Sequence, residues 1–383
     1  MVITLNVLFV LLICAYIFYV LHKWLKNVRT AAFKLYFIAF SILHFVAMAV
    51  FLYLLNQSPS NDAQQFYNSA LEASNWFGLF GLGNRFMAFI IYPFVKLGIT
   101  IEVLFLLFST ISLKGFLNLF KLMDCKTLNA KNKLILTLFL TPTIHFWTVF
   151  LGKEALLLWL MVALLNKIKF KKYNWELAVL FIPIFLIRPH VFFVLVLSLL
   201  ILLSIDSNTS KKLKQTLLFV TFLAFAVLTP VFLIYFLKIE ALNLEALQKY
   251  YSSFMDYTQN KGNTSISITD TTIFTRIFYL CVMPLPFLYD LKGNMQWFVA
   301  IENIFYVSIF SYSIIYYIKK GLSFKKLSND LKFALIASVL LILLFSSYLY
   351  NLGLGNRMRL MFFPYIFYFL SMTIKPILQN RKR

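Results

Sequence analysis

The charged residues of this chain fall into two sets. One is a crowd of lysines in short connections. The other is small: Asp62, Glu72, Arg85, Lys153, Glu154, Arg188, His190, Arg276, Asp290, Glu302, Arg357 and Arg359, recurring beside Gly, Pro and His at the ends of apolar runs. A charge placed in hydrocarbon costs on the order of 2.5–3.5 kcal/mol on insertion scales, so such residues face a cavity or a partner unless they snorkel at a helix end. Arginines in one layer with a lysine and a histidine suit a phosphate or diphosphate, because the planar guanidinium grips phosphate with two parallel hydrogen bonds. Carboxylates in that layer suit sugar hydroxyls or general-base work. The candidate catalytic groups are Asp62, Glu154 and His190. The candidate anion-binding set is Arg85, Lys153, Arg188, Arg276, Arg357 and Arg359. No cofactor or metal is expected, since an electrostatic grip on an anion needs none. Cys14, Cys125 and Cys281 have no C-x-x-C spacing, which argues against a zinc site or a disulfide framework.

Four groups carry the argument. Asn61-Asp62-Ala63, followed by Tyr67 and Ala70, offers a carboxylate able to take a proton or bind hydroxyls. Ser60, Asn61 and Asp62 equally suit the N-cap of a short helix. TPTIHFWTVFLGKE (141–154) ends in Lys153-Glu154, either outer-surface ligands or the cap of a tight hairpin. In Arg188-Pro189-His190 the proline keeps the arginine out of a regular helix and aims two polar groups at one point; the other reading is a polar turn. GLGNR occurs twice, at 81–85 and 353–357. Each copy is expected to leave an outer loop and enter an apolar segment, with its glycine amides near an anion at a helix N-terminus. Two independent turns are the alternative. Arg188, His190 and Arg357, with Asp62 or Glu154, are expected to line one outward cavity.

A scaffold must hold these groups in one layer, and composition says which. Apolar residues make up 61 % of the 383 and charged residues 13 %, against roughly 45–50 % and 25 % in soluble domains. Lipid must solvate most of the side chains, so the chain reads as an all-α, polytopic transmembrane helix bundle forming a single membrane domain over 1–383. Spans are predicted at 4–22, 35–55, 101–120, 134–151, 154–167, 174–188, 190–205, 216–237, 296–318, 332–350 and 360–375, about eleven in all. Segments 86–99 and 277–289 hold Pro93 and Pro284 with Pro286, and read as re-entrant or interfacial. Connections 22–34, 121–133, 167–173, 206–215, 319–332 and the tail from 375 carry 24 of the 36 Lys and Arg. With four acidic residues on that side, its net charge is +20, against 12 basic and ten acidic residues elsewhere. By the positive-inside rule that side is cytoplasmic, giving an outside N-terminus and an inside C-terminus. The excess charge is thus topological and argues against a nucleic-acid partner. The long loops, 56–85 and 238–276, fall outside and carry the aromatics Tyr67, Trp76, Phe77, Tyr250, Tyr251, Phe254 and Tyr257. The absence of a Walker-type glycine loop argues against ATP or a nucleotide-sugar as substrate.

The runs DAQQFYNSA (62–70), P…FW…GKE (142–154), Arg188-Pro189, Pro284-Leu285-Pro286-Phe287, Glu302-Asn303 and Asn356-Arg357…Arg359 resemble multi-pass proteins of bacterial exopolysaccharide clusters, similar to O-antigen-polymerase-like and EpsG-like proteins. More distantly, the Asp62 region resembles the first outer loop of GT-C glycosyltransferases, which use lipid-phosphosugar donors. The resemblance implies transfer or polymerisation of saccharides carried on polyprenyl diphosphate, at the outer face of the bacterial inner membrane. The implied partners are that lipid-linked saccharide and membrane lipid. In this reading arginines hold the leaving diphosphate and a carboxylate or His190 activates the acceptor hydroxyl. A flippase for a lipid-linked sugar is the alternative. It needs charges in both halves of the membrane, and below the outer layer Lys114 and Glu176 are the exceptions to nearly charge-free spans.

Overall fold

The computed structural model describes residues 2–28, 30–57, 61–124, 135–172, 174–206, 239–258, 264–321 and 323–374, with scattered positions between 210 and 234. Among them every regular element is a helix, and an isolated β-bridge pairs Ser265 with Asn351. Five helices are long and apolar enough to cross a membrane: α1 (Val2–Asn27), α2 (Ala31–Gln57), α5 (Ile101–Leu122), α12 (Asn294–Lys320) and α13 (Asn329–Ser347). Shorter helices lie between them: α3 (Asp62–Glu72), α4 (Asn84–Lys96), α6 (Pro142–Phe146), α7 (Lys153–Lys169), α8 (Trp175–Ile187), α9 (Pro189–Ile205), α10 (Leu244–Thr258), α11 (Ile273–Val282), α14 (Leu352–Arg359) and α15 (Phe363–Thr373). The basic loop 125–133, most of 216–237 and the tail from 375 lie outside the described residues, as does Cys125.

One expected span is not a single helix. Within 134–151 the chain forms α6 and then turns over 147–152. Pro142 lacks a backbone N–H and so starts a new helix rather than continuing one. Pro364 likewise sits in the first turn of α15, which forms one helix over 363–373 of the span expected at 360–375. The segments expected not to cross form α4, with 13 residues, and α11, with 10. Their rises of about 20 and 15 Å fall short of ~30 Å of hydrocarbon.

The chain divides into two compact units. The first holds Met1–Phe193, Phe305–Lys326 and Leu360–Arg383. Here α5 packs along α7, at close range because Gly115 lacks a side chain: a Cβ there would come 3.2 Å from the Trp159 backbone. On α3 the apolar residues Ala63, Phe66 and Ala70 repeat at helical spacing and bury against α4, leaving the polar face outward. Asn6 of α1 binds the turn before α5, donating to Gly98 O at 2.8 Å and accepting from Thr100 N at 2.9 Å. Inside, His44 and His145, both fully buried, meet Nδ1 to Nδ1 at 3.0 Å. His44 Nε2 lies 3.0 Å from Ser109 O, and His145 Nε2 lies 2.8 Å from Phe139 O. This chain of polar contacts ties α2, α5 and α6 together inside a cluster of phenylalanines that includes Phe40 and Phe116.

The second unit holds Val194–Ile304 and Leu327–Arg359. In it α11 packs on α13 and α14. Residues 264–266 bond to 350–352, with Ile266 N donating to Tyr350 O at 2.7 Å and Leu352 N to Thr264 O at 3.0 Å.

His145→Leu fills the site with an apolar side chain but strips the buried Phe139 carbonyl of its partner, at about 1–3 kcal/mol per unmet group. Its unfolding midpoint in detergent is expected to fall further than that of Tyr36→Phe, which loses one hydrogen bond to Leu136 O. Equal midpoints would mean that the histidine contact holds nothing together.

Candidate functional site

In the first unit three helices begin close to one another. α4 starts at Gly83, α7 at Gly152-Lys153 and α9 at Pro189. Gly83 has φ 66°, a left-handed conformation that favours glycine. That conformation turns its N–H onto Leu186 O, 2.8 Å away in the last turn of α8. A Cβ at Gly83 would lie 3.6 Å from Lys153 Nζ, so the ammonium sits over this turn. At Gly152 a Cβ would run into the Phe150 ring, so glycine is needed for the close approach. The N-cap residues of α4 and α7, Gly83 and Gly152, make no side-chain cap hydrogen bond.

Glu154 stands in the first turn of α7 and is fully buried. Arg188 donates an Nη2 hydrogen to Glu154 Oε1 at 2.5 Å. The arginine is placed there because α8 stops at Ile187 and Pro189 opens α9, leaving Arg188 at φ −146°, ψ 87° between them. Its buried Nε has no hydrogen-bond partner among the described residues. His190, the second residue of α9, is partly buried and within electrostatic reach of Arg188 and Lys153.

Asp62 opens α3, where Asn61 is the N-cap and its side chain accepts from Gln64 N at 3.1 Å. Asp62 is partly buried and shares a helix face with Phe66, four residues on. Lys153 Nζ stands 6.0 Å over the Phe66 ring, so that face of α3 looks toward the start of α7. The structure thus brings Lys153, Glu154, Arg188 and His190 to one region around Gly83, with Asp62 one turn before Phe66 on α3. Three helix starts lie beside two cationic side chains, Lys153 and Arg188, and a buried carboxylate, Glu154, a setting rich in donors for an anion.

The other expected residues have the following surroundings. Arg85 is exposed and donates Nη2 to Gly78 O at 2.6 Å, bracing its own loop. Arg276, Arg357 and Arg359 belong to the second unit. Arg359 is buried, and its guanidinium donates to Leu280 O at 2.6 Å, Met283 O at 2.5 Å and Asn303 Oδ1 at 2.6 Å. It closes the C-terminal end of α11, where a cation complements the helix dipole. Arg276 donates Nη1 to Ile268 O at 2.9 Å. Arg357 is half-buried in the last turn of α14. The two GLGNR copies do not match: the first is a left-handed turn entering α4, while the second lies within α14, capped by Asn351, whose Oδ1 accepts from Leu354 N at 3.1 Å.

The loop aromatics largely serve the fold. Tyr67 donates its hydroxyl to Ile99 O at 3.2 Å, and burial followed by the Glu102 carboxylate raises its pKa. Trp76 stacks on Phe89 and donates Nε1 to Phe89 O at 2.8 Å. Gly83 lies in the GLGNR run that the sequence singled out, while Phe66 was passed over as part of the site because nothing local joins it to Lys153.

No family model matches the chain, and neither the curated proteins nor the solved structures yield a match.

Glu154→Ala leaves the Arg188 guanidinium without its partner, at about 3–5 kcal/mol. The neutral pair Glu154→Gln with Arg188→Gln is expected to recover much of that loss in thermal unfolding. If Glu154→Ala melts with the wild type, the ion pair carries no structural load.

Proposed function

We propose that this chain transfers or polymerises saccharides carried on polyprenyl diphosphate at the outer face of a bacterial inner membrane. The observation that carries the reading is Arg188: held by buried Glu154, with its Nε unused among the described residues, beside Lys153 and uncapped helix starts. A diphosphate bound there accepts hydrogen bonds from the guanidinium, the ammonium and the first-turn amides. Departure of the saccharide from the lipid leaves charge on the terminal phosphate, which those donors stabilise. Glu154 is committed to Arg188, so it orients the arginine. Asp62 is the general base, taking the proton of the acceptor hydroxyl as the hydroxyl oxygen forms the new glycosidic bond. His190 is a neighbouring polar ligand. The topology we infer is about eleven passes, several through short or broken helices, with the N-terminus outside and the C-terminus inside.

The test is a gel of lipid-linked glycan from cells carrying each variant, with membrane levels checked by immunoblot. Arg188→Lys keeps the charge but loses the fork. It and Lys153→Gln are expected to cut polymer roughly ten- to a hundredfold, the worth of one charged hydrogen bond in the transition state. Asp62→Asn is expected to abolish it, and Lys171→Ala to leave it unchanged. Normal polymer from Asp62→Asn and Lys153→Gln at normal protein levels would sink the reading.

A further inference from the structure

Lys114 is a charge that the site above does not use. It lies on α5 eight residues before Leu122, about 12 Å along the helix from its end, within an apolar segment. Lys114, Asn118 and Lys121 recur at i, i+4 and i+7 and form one stripe of α5. Facing them, α1 presents Tyr16, Tyr19, Lys23 and Asn27 on one stripe of its own, with Lys23 Nζ 5.8 Å over the Tyr19 ring. The two stripes enclose a cleft of about 310 Å³ in which three ammoniums meet one carboxylate, Asp124. Tyr16 and Lys114 also line a second, apolar cleft of about 530 Å³ that continues along α1 and α5 past Ile13, Phe9, Phe94, Leu107 and Leu156.

A cationic end that continues into an apolar slot is complementary to an anion carrying an alkyl tail. A free phosphate would leave the slot unfilled, and a neutral lipid would leave the lysines uncompensated. We propose that the groove between α1 and α5 binds an anionic glycerophospholipid of the surrounding bilayer, with its phosphate at Lys23, Lys114 and Lys121 and an acyl chain along the apolar slot. Lys114 lies below the ordinary headgroup level, so it draws the phosphate inward and selects a lipid that other lysines attract only loosely. α1 makes most of its wall exposed to lipid, and the bound chain then fills the space between α1 and α5. This site is independent of the transfer reading, because it uses the opposite end of α5 and none of the residues assigned to the diphosphate.

The purified full-length protein, stripped of lipid and mixed with equal dioleoyl-phosphatidylglycerol and dioleoyl-phosphatidylcholine, is examined by native mass spectrometry. One phosphatidylglycerol is expected to stay bound, with a preference of about tenfold or more from the Lys114 and Lys121 ammoniums. Lys114→Gln with Lys121→Gln should bring the ratio near one, and Lys114→Arg should keep it. Ile13→Trp blocks the slot and should lose the lipid with every lysine intact. Lys325→Gln with Lys326→Gln, basic residues elsewhere, should change nothing. The proposal is overturned by an unchanged preference in the Lys114/Lys121 variant at an unchanged elution profile, or by retention in Ile13→Trp. Stoichiometric displacement of phosphatidylglycerol by a tenfold lower concentration of undecaprenyl phosphate would also overturn it, by making the groove a substrate site.

Discussion

A fully buried carboxylate in the first turn of an apolar helix has few ways to persist, and Glu154 is such a group. Ionised and alone it would cost far more than the fold of a small unit can supply; paired with a guanidinium it becomes tolerable. Arg188 provides that partner, and the local chain is arranged to bring it there. α8 ends one residue before the arginine, the proline after it prevents a continuous helix, and the Gly83 turn bonds to α8 at Leu186. Release that pair and the geometry that sets Lys153 and His190 beside it has no anchor.

The pair also determines what remains for chemistry. On the proposed reading Glu154 orients Arg188 and Asp62, at the partly exposed start of α3, serves as the base. In the proposed site Coulombic terms grow as the effective dielectric falls, so the donors named would hold a diphosphate against competing water. Arg359 illustrates the opposite use of the same side chain. Its three hydrogen bonds go to protein oxygens, which makes it a clamp for the end of α11.

Much of this was legible in the sequence for one reason: charge is expensive in lipid, so Lys153-Glu154 and Arg188-Pro189-His190 stood out against apolar surroundings. The cost argument says that such a residue has a partner and not which partner, so Arg188 and Arg359 read alike. Hydropathy was blind to helix breaks. Residues 134–151 are apolar enough for a span, yet Pro142 and the Gly152 turn divide them. GLGNR gave the same five letters two conformations, because Asn351 and Thr264 fix the start of α14 while Gly83 alone makes the left-handed turn before α4. The buried contact between His44 and His145 joins residues 101 apart and has no local signature.

The central claim is that Arg188 and Lys153 grip a diphosphate at the Gly83 turn. A cryo-electron-microscopy map of the protein in a lipid nanodisc with farnesyl diphosphate tests it most directly. The account predicts diphosphate density within hydrogen-bond reach of Arg188 and Lys153, and its loss in the Lys153→Gln variant. Diphosphate density at Arg276 or Arg357, with none at Arg188, would contradict it.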